Sequence, residues 1–269
     1  MDKNLNEKYL QLASDLATMI QGLPEAKYIL LIGSVVDQTA DHLSDIDTII
    51  LYDKEPSEPD LATLLGKESV YKFWLDDDHF HVHYKKENVD MTMLFTPLKR
   101  IEDFVNQYPH INFNDYAEVS RYIVNGKRLA GDEQTFDAWQ KKCRIVPFEV
   151  KEKVFQKEMP SLSFWFKSDH LLMLAERSDW IMVNRTINMS IEGILRVIYL
   201  LNDEIMIKPK RTRIHLEQCT IKPPDIQIRL ENLYLHKNTL ADVKDKIEQM
   251  LSIIDDLKAL IQQHHTTES

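Results

Sequence analysis

Glycine is scarce in this chain, six in 269 residues, too few for a Rossmann-like fold or a repeat built on Gly-rich turns. Cysteine is scarcer: Cys143 and Cys219 have no metal-ligand spacing and imply no disulfide framework. No run of about 18 apolar residues occurs, so nothing reads as a membrane span. The amino-terminal stretch MDKNLNEKYLQLASDL is polar and amphipathic, without the apolar core of a secretory signal. A cytoplasmic protein is the simplest reading. Positive charge is also short, with 33 Lys and Arg against 43 Asp and Glu, a formal charge of −10. The basic cluster Lys208-Pro209-Lys210-Arg211-Thr212-Arg213 stands alone. Nucleic-acid binders draw most of their affinity from neutralising phosphates, so a nucleic-acid partner is disfavoured. A negative field favours cationic small molecules or proteins, although solubility alone accounts for acidity of this size.

What is present is the material of a soluble globular protein, 43% hydrophobic and 28% charged, long enough for one large domain or two modest ones. Leu5, Tyr9, Leu12, Leu16 and Met19 recur at helical steps, predicting an amphipathic helix that ends near Gly22-Leu23-Pro24. Tyr28–Ile32 and Ile46–Tyr52 read as buried strands, Asp60–Leu65 as a short helix and Lys72–Leu75 as a strand. Phe80–Tyr84 and Val89–Phe95 read as a hairpin around a four-residue loop, Lys85–Asn88. Pro97 can open a helix over Leu98–Asn106. From about Pro147 the pattern is helical throughout, over Leu162–Ala175, Ile181–Leu201 and Ile226–Ile261. The expectation is an α+β fold: residues 1–146 form a mixed sheet flanked by helices, and residues 147–269 form an all-helical domain.

The chemistry is concentrated between Gly33 and Asp47. Asp45 and Asp47 are two apart at the start of a strand, so both point to one face, about 7 Å apart along the backbone. Two carboxylates beside apolar neighbours are costly unless a cation sits between them. Mg²⁺ is the usual cation where phosphates react, held by one or two carboxylates and substrate oxygens. Gly33-Ser34 ends the preceding strand and is expected to begin a helix. A glycine there lets backbone approach a phosphate, and free N–H groups with the Ser34 hydroxyl can take its oxygens. Asp90 lies inside an otherwise apolar strand, Val89–Phe95, and a lone acid there needs something to hold it. Beside Asp45 and Asp47 it completes a three-carboxylate set for two metal ions, one orienting a triphosphate and one lowering the pKa of an acceptor hydroxyl.

Gly33-Ser34, Ser44-Asp45-Ile46-Asp47 and the later Asp90 resemble the signature of the polymerase-beta nucleotidyltransferase superfamily. The wording Gly-Ser-Val-Val-Asp through Ser-Asp-Ile-Asp is closest to the adenylyltransferases that modify streptomycin and spectinomycin. That resemblance covers residues 28–52 and, more loosely, 80–95. It implies a mixed catalytic domain (1–146) followed by a helical acceptor-binding domain (147–269). The activity implied is Mg²⁺-dependent transfer of AMP from ATP to a hydroxyl of a small cationic, aminoglycoside-like acceptor, with no membrane involved. Asp45, Asp47 and Asp90 would hold the metal, and Gly33, Ser34 and Ser44 the nucleotide. Where that family has one or two further glycines, this chain has Gln38 and Thr39. A fainter similarity joins Arg196–Tyr199 and Met206–Lys210 to the helix and lysine-bearing loop that such enzymes use on the triphosphate. Lys208 or Lys210 would serve there, against the alternative of a solvated basic loop.

Other residues invite chemistry. His79, His81 and His83 alternate along one strand and share a face, which is either a polar sheet face or a zinc set. With a Lys85–Asn88 loop, His83 lies opposite Asp90. The acceptor proton needs a base, for which Asp90 is the first candidate and Glu192 the second. Glu192, among Met189, Ile191, Ile194 and Leu195, is otherwise a wet-face acid or the partner of Arg196. Phe164-Trp165-Phe166 and Trp180 read as helix-packing core. Rival functions remain open: a protein or tRNA acceptor, or a nucleotide-binding protein of the same fold without activity.

Overall fold

The computed structural model describes residues 3–66, 70–76, 79–205, 210–234 and 237–268. It divides into two compact units, Met1–Ile145 and Val146–Ser269. Among the described residues no helix is long and apolar enough to cross a membrane.

The first unit opens with helix α1 (Lys3–Ile20), followed by strands β1 (Ala26–Ile32) and β2 (Ile46–Tyr52). Helix α2 (Glu58–Leu65) leads to β3 (Val70–Asp76), β4 (His79–Lys86) and β5 (Val89–Pro97). Helices α3 (Leu98–Gln107) and α4 (Phe113–Ile123), strand β6 (Lys127–Ala130) and helix α5 (Glu133–Cys143) complete it. The six strands form one sheet in the order β3-β4-β5-β2-β1-β6. Among the described residues β2 pairs with β5 in parallel, and the other neighbours run antiparallel.

Strand periodicity decides what the two faces meet. Ile46, Ile50 and Tyr52 of β2 share a face with Met91, Met93 and Phe95 of β5 and with Phe80, Val82 and Tyr84 of β4. These residues are buried in one core with Tyr9, Leu12, Leu16 and Ile20 of α1. The opposite face is divided. Leu30 and Ile49 are paired there and fully buried, and Tyr28 meets Trp139 of α5 at 5.1 Å between ring centroids. Toward the carboxyl end of β1 and the start of β2 that same face turns polar.

The second unit is helical: α6 (Phe148–Lys167), α7 (His170–Glu176), α8 (Trp180–Leu201), α9 (Thr212–Gln218), α10 (Ile226–Asn232) and α11 (Leu240–Glu268). The α+β architecture expected from the pattern is what the chain adopts, with local differences. The stretch 162–175 is two helices, because Ser168 leaves the helical region (φ −97°, ψ 162°) and α7 starts afresh after Asp169. The stretch 226–261 is also two, and the Thr239 hydroxyl accepts from the Asp242 N–H at 3.2 Å to start α11. The hairpin turns on two residues rather than four. Glu87 (φ 52°) and Asn88 (φ 62°) are both left-handed, as the tight turn that matches strand twist requires.

Candidate functional site

β1 delivers the chain to Gly33, whose φ of +75° is a region that side chains resist. A methyl group there would also lie 3.3 Å from Asp47 Oδ2. Backbone conformation therefore favours glycine here, and any side chain would also have to push the Asp47 carboxylate aside by a few tenths of an ångström. Gly33-Ser34-Val35 form one 3₁₀ turn rather than the start of a longer helix, so fewer free N–H groups gather there than expected. Gln38 is left-handed (φ 55°) and the Thr39 N–H closes the loop on the Ser34 carbonyl at 2.9 Å. The turn thus holds Gln38 in a conformation that glycine adopts more readily.

Asp41 organises the approach to the acids, and nothing in the sequence argument singled it out. Its carboxylate accepts from the Leu43 N–H at 2.9 Å and the Ser44 hydroxyl at 3.0 Å, and its own N–H donates to Ser44 Oγ at 2.9 Å. Ser44, expected to touch nucleotide, is engaged in this turn and sets the exit toward Asp45. The signal for it was an Asp three residues before a Ser, the pattern of a local side-chain-to-backbone turn.

The strand register brings two of the three predicted acids to one face. Asp47 pairs with Thr92 across the parallel β2–β5 ladder, and Asp45 precedes Ile46, which pairs with Met91. Asp90 therefore follows the same side as Asp47 and Thr92, and Asp45, just before β2, lies close enough to act on His83 there. Asp45 and Asp90 are exposed and Asp47 is half-buried. The shorter hairpin turn corrects the expected partner of His83. Lys85, not His83, faces Asp90, and its ammonium lies 3.5 Å from Asp90 Oδ1. His83 instead faces Thr92 on one side and Lys72 on the other, with His83 Nδ1 3.3 Å from Thr92 Oγ1. One row across the sheet thus reads Ile32, Asp47, Thr92, His83, Lys72.

Partial burial lowers the pKa of His83 from the ordinary 6.5, and Lys72 adds to that; Asp90 and Asp45 pull the other way. His83 is therefore neutral at pH 7, able to accept from the Thr92 hydroxyl. Among the described residues, no three His, Cys, Asp or Glu side chains stand close enough together to hold a metal ion. The three acids do not converge, as like charges repel and Asp90 leans to Lys85. His81 and His83 point to the same face, and the side chain of His79 is outside the described set.

Glu192 and Lys210 belong to the second unit. Glu192 is exposed on α8 and lines a cavity of about 370 Å³. Arg196 pairs with Glu158 of α6 and not with Glu192. Lys210 is exposed just before α9, and Lys208 lies outside the described residues. Of the aromatic run, Phe166 is core but Phe164 is 51% exposed. Both thiols are buried, which pushes Cys143 and Cys219 up to about 11 and leaves neither suited to act as a nucleophile.

No protein-family model matches the chain, and no curated protein matches it. Among solved structures, a nucleotidyltransferase-like protein from Exiguobacterium sibiricum is similar at a TM-score of 0.41 and 13% identity, over 96% of this chain and 75% of that one. A likeness at that level fixes neither fold nor activity.

Proposed function

We propose that this chain is a Mg²⁺-dependent nucleotidyltransferase that moves AMP from ATP to a hydroxyl of a small cationic acceptor of the aminoglycoside kind. The observation that carries the reading is the parallel β2–β5 register, Ile46 to Met91 and Asp47 to Thr92, which puts Asp90 on the face of Asp47, whose carboxylate lies beside Gly33. Their donors are all hard carboxylate oxygens, the set that suits Mg²⁺. Asp90 is tied to Lys85 by an exposed pair, worth about 1 kcal/mol at most and easily exchanged. Asp45, Asp47 and Asp90 would hold two ions, which would screen phosphate charge and make the acceptor hydroxyl easier to deprotonate.

The remaining work falls to the chain. Gly33 gives the triphosphate room, and the Ser34 hydroxyl and backbone N–H groups of the turn would take its oxygens. Asp90 would accept the acceptor proton. The acceptor oxygen then bonds to the α-phosphorus while the bond to the β-phosphate oxygen breaks, and pyrophosphate leaves with the electron pair. Glu192 and Lys210 enter no step in this account.

A second reading, a nucleotide-binding protein without turnover, is favoured by the spread of the three acids. Incubation with radiolabelled ATP and Mg²⁺ against aminoglycosides, lincosamides, tRNA and cell-extract proteins separates the two. Asp45→Asn and Asp47→Asn are each expected to cut pyrophosphate release about a hundredfold or more, with thermal stability unchanged. Full activity in either variant removes the two-metal reading. ATP binding without transfer to any acceptor favours the second.

A further inference from the structure

Between Gly33 and the first acid the chain is stitched closed in two turns. The Asp37 N–H donates to the Gly33 carbonyl at 3.1 Å, and the residues that follow, Thr39 and Ala40, are buried. The second turn starts at once. The Ser44 N–H donates to the Asp41 carbonyl at 3.0 Å, beside the three side-chain bonds that join Asp41 to Leu43 and Ser44. Ile46 then enters the ladder opposite Met91, and both side chains are fully buried. Asp45 thus lies alone between a closed turn and a paired strand.

Hydrogen bonding rather than packing holds that second turn. His42 and Leu43 are exposed, Leu43 by 83%, so neither ties the turn to the core. Asp41 Oδ1 accepts twice, from the Leu43 N–H and the Ser44 hydroxyl, and bonds to an ionised acceptor are the stronger kind. One carboxylate oxygen therefore fixes Leu43 and Ser44 together, and with them the direction in which the chain leaves for Asp45. With its backbone held on both sides, Asp45 has little ordering left to lose when an ion binds. Held by the strand alone, it would be ordered at the ion's expense.

We infer that Asp41 is a positioning residue for the metal acids. It touches neither ion nor nucleotide, and it raises ion affinity through the place it gives Asp45. It acts by its hydrogen bonds and not by its charge. The inference rests on the two-metal reading and adds to it a residue that holds no metal.

The test is titration of the full chain with Mn²⁺ in place of Mg²⁺, read as loss of the free ion's paramagnetic resonance signal. Asp41→Asn keeps an oxygen that can accept from Leu43 and Ser44 but removes the charge; Asp41→Ala removes both. The alanine variant is expected to bind Mn²⁺ about tenfold more weakly, and the asparagine variant to stay within about threefold of the unaltered chain. The Mg²⁺ concentration for half-maximal pyrophosphate release should rise about tenfold in Asp41→Ala, with the rate restored at saturating Mg²⁺. Thermal unfolding without metal should be unchanged in both, since the turn is exposed. Asparagine as weak as alanine overturns the inference, because charge would then be the cause. A melt that falls along with affinity overturns it too, because the turn would then support the fold. Failure of the unaltered chain to bind Mn²⁺ sinks the two-metal reading itself, whereas binding that Asp41→Ala leaves intact sinks only this inference.

Discussion

His83 shows how one side chain reports on its row. Partial burial and Lys72 hold its pKa below 6.5 against the opposing pull of Asp90 and Asp45. Above pH 6.5 the imidazole is neutral in both folded and unfolded chain, and no proton is exchanged on folding. Below 6.5 the unfolded chain takes up a proton that the folded chain resists, so stability falls as pH falls through the folded value. Denaturant melts of His83→Gln should therefore lose less stability between pH 6.5 and pH 5 than the parent; parallel curves would place the imidazole in ordinary solvent. The place of Asp90 beside Asp47 depends on the parallel β2–β5 register, while the i, i+2 spacing of Asp45 and Asp47 was legible from alternation. The partner of His83 was not, because it hangs on turn length. Glu87 gave no sign of a left-handed turn that Asn or Gly would have announced.

At the scale of elements, α6 carries an unusual burden. The Lys151 side chain is completely buried, with its ammonium 2.9 Å from Asp203 Oδ1 and 3.3 Å from His264 Nε2 of α11. Asp203 follows α8 and also accepts from the Val146 N–H at 3.1 Å, so one carboxylate joins the start of the unit, α6 and the end of α8. Removing it takes a carboxylate away from a buried cation. Asp203→Ala should cost on the order of 3 kcal/mol, the low end for buried pairs because Asp203 is 42% exposed. Lys151→Met, which removes charge and keeps apolar volume, should cost far less. Equal losses in chemical denaturation would show that packing, not charge, holds this junction. Helices of this unit were legible because their stripes are long. Helices α4 and α5 were not foreseen, although each has a cap. Asn112 accepts from the Asp115 N–H at 2.9 Å and Asp132 from the Thr135 N–H at 2.8 Å. Their apolar stripes (Tyr116, Val119, Ile123; Phe136, Trp139, Cys143) are only two turns long, and short stripes between polar residues read equally well as loop.

For the molecule as a whole, the decisive property is that each unit buries its own core. In Val146–Ser269, helices α6, α7, α8 and α11 pack on one another. Val154, Phe166, Leu171, Ile194, Val243 and Ile254 are among the residues sealed between them. Its length is that of a common independent domain, of about 100–150 residues, for which apolar burial suffices without disulfides or metals. The Lys151–Asp203 pair also lies wholly inside this unit. A fragment of residues 146–269 should therefore purify as a helical protein that unfolds in one cooperative transition by circular dichroism. Asp203→Ala should destabilise the fragment by the same amount as the full chain, because the buried cation that loses the carboxylate is the same in both. A fragment that stays helical yet melts without a cooperative transition would mean that its core needs the rest of the chain, and the division at residue 145 would then be one of geometry rather than of folding.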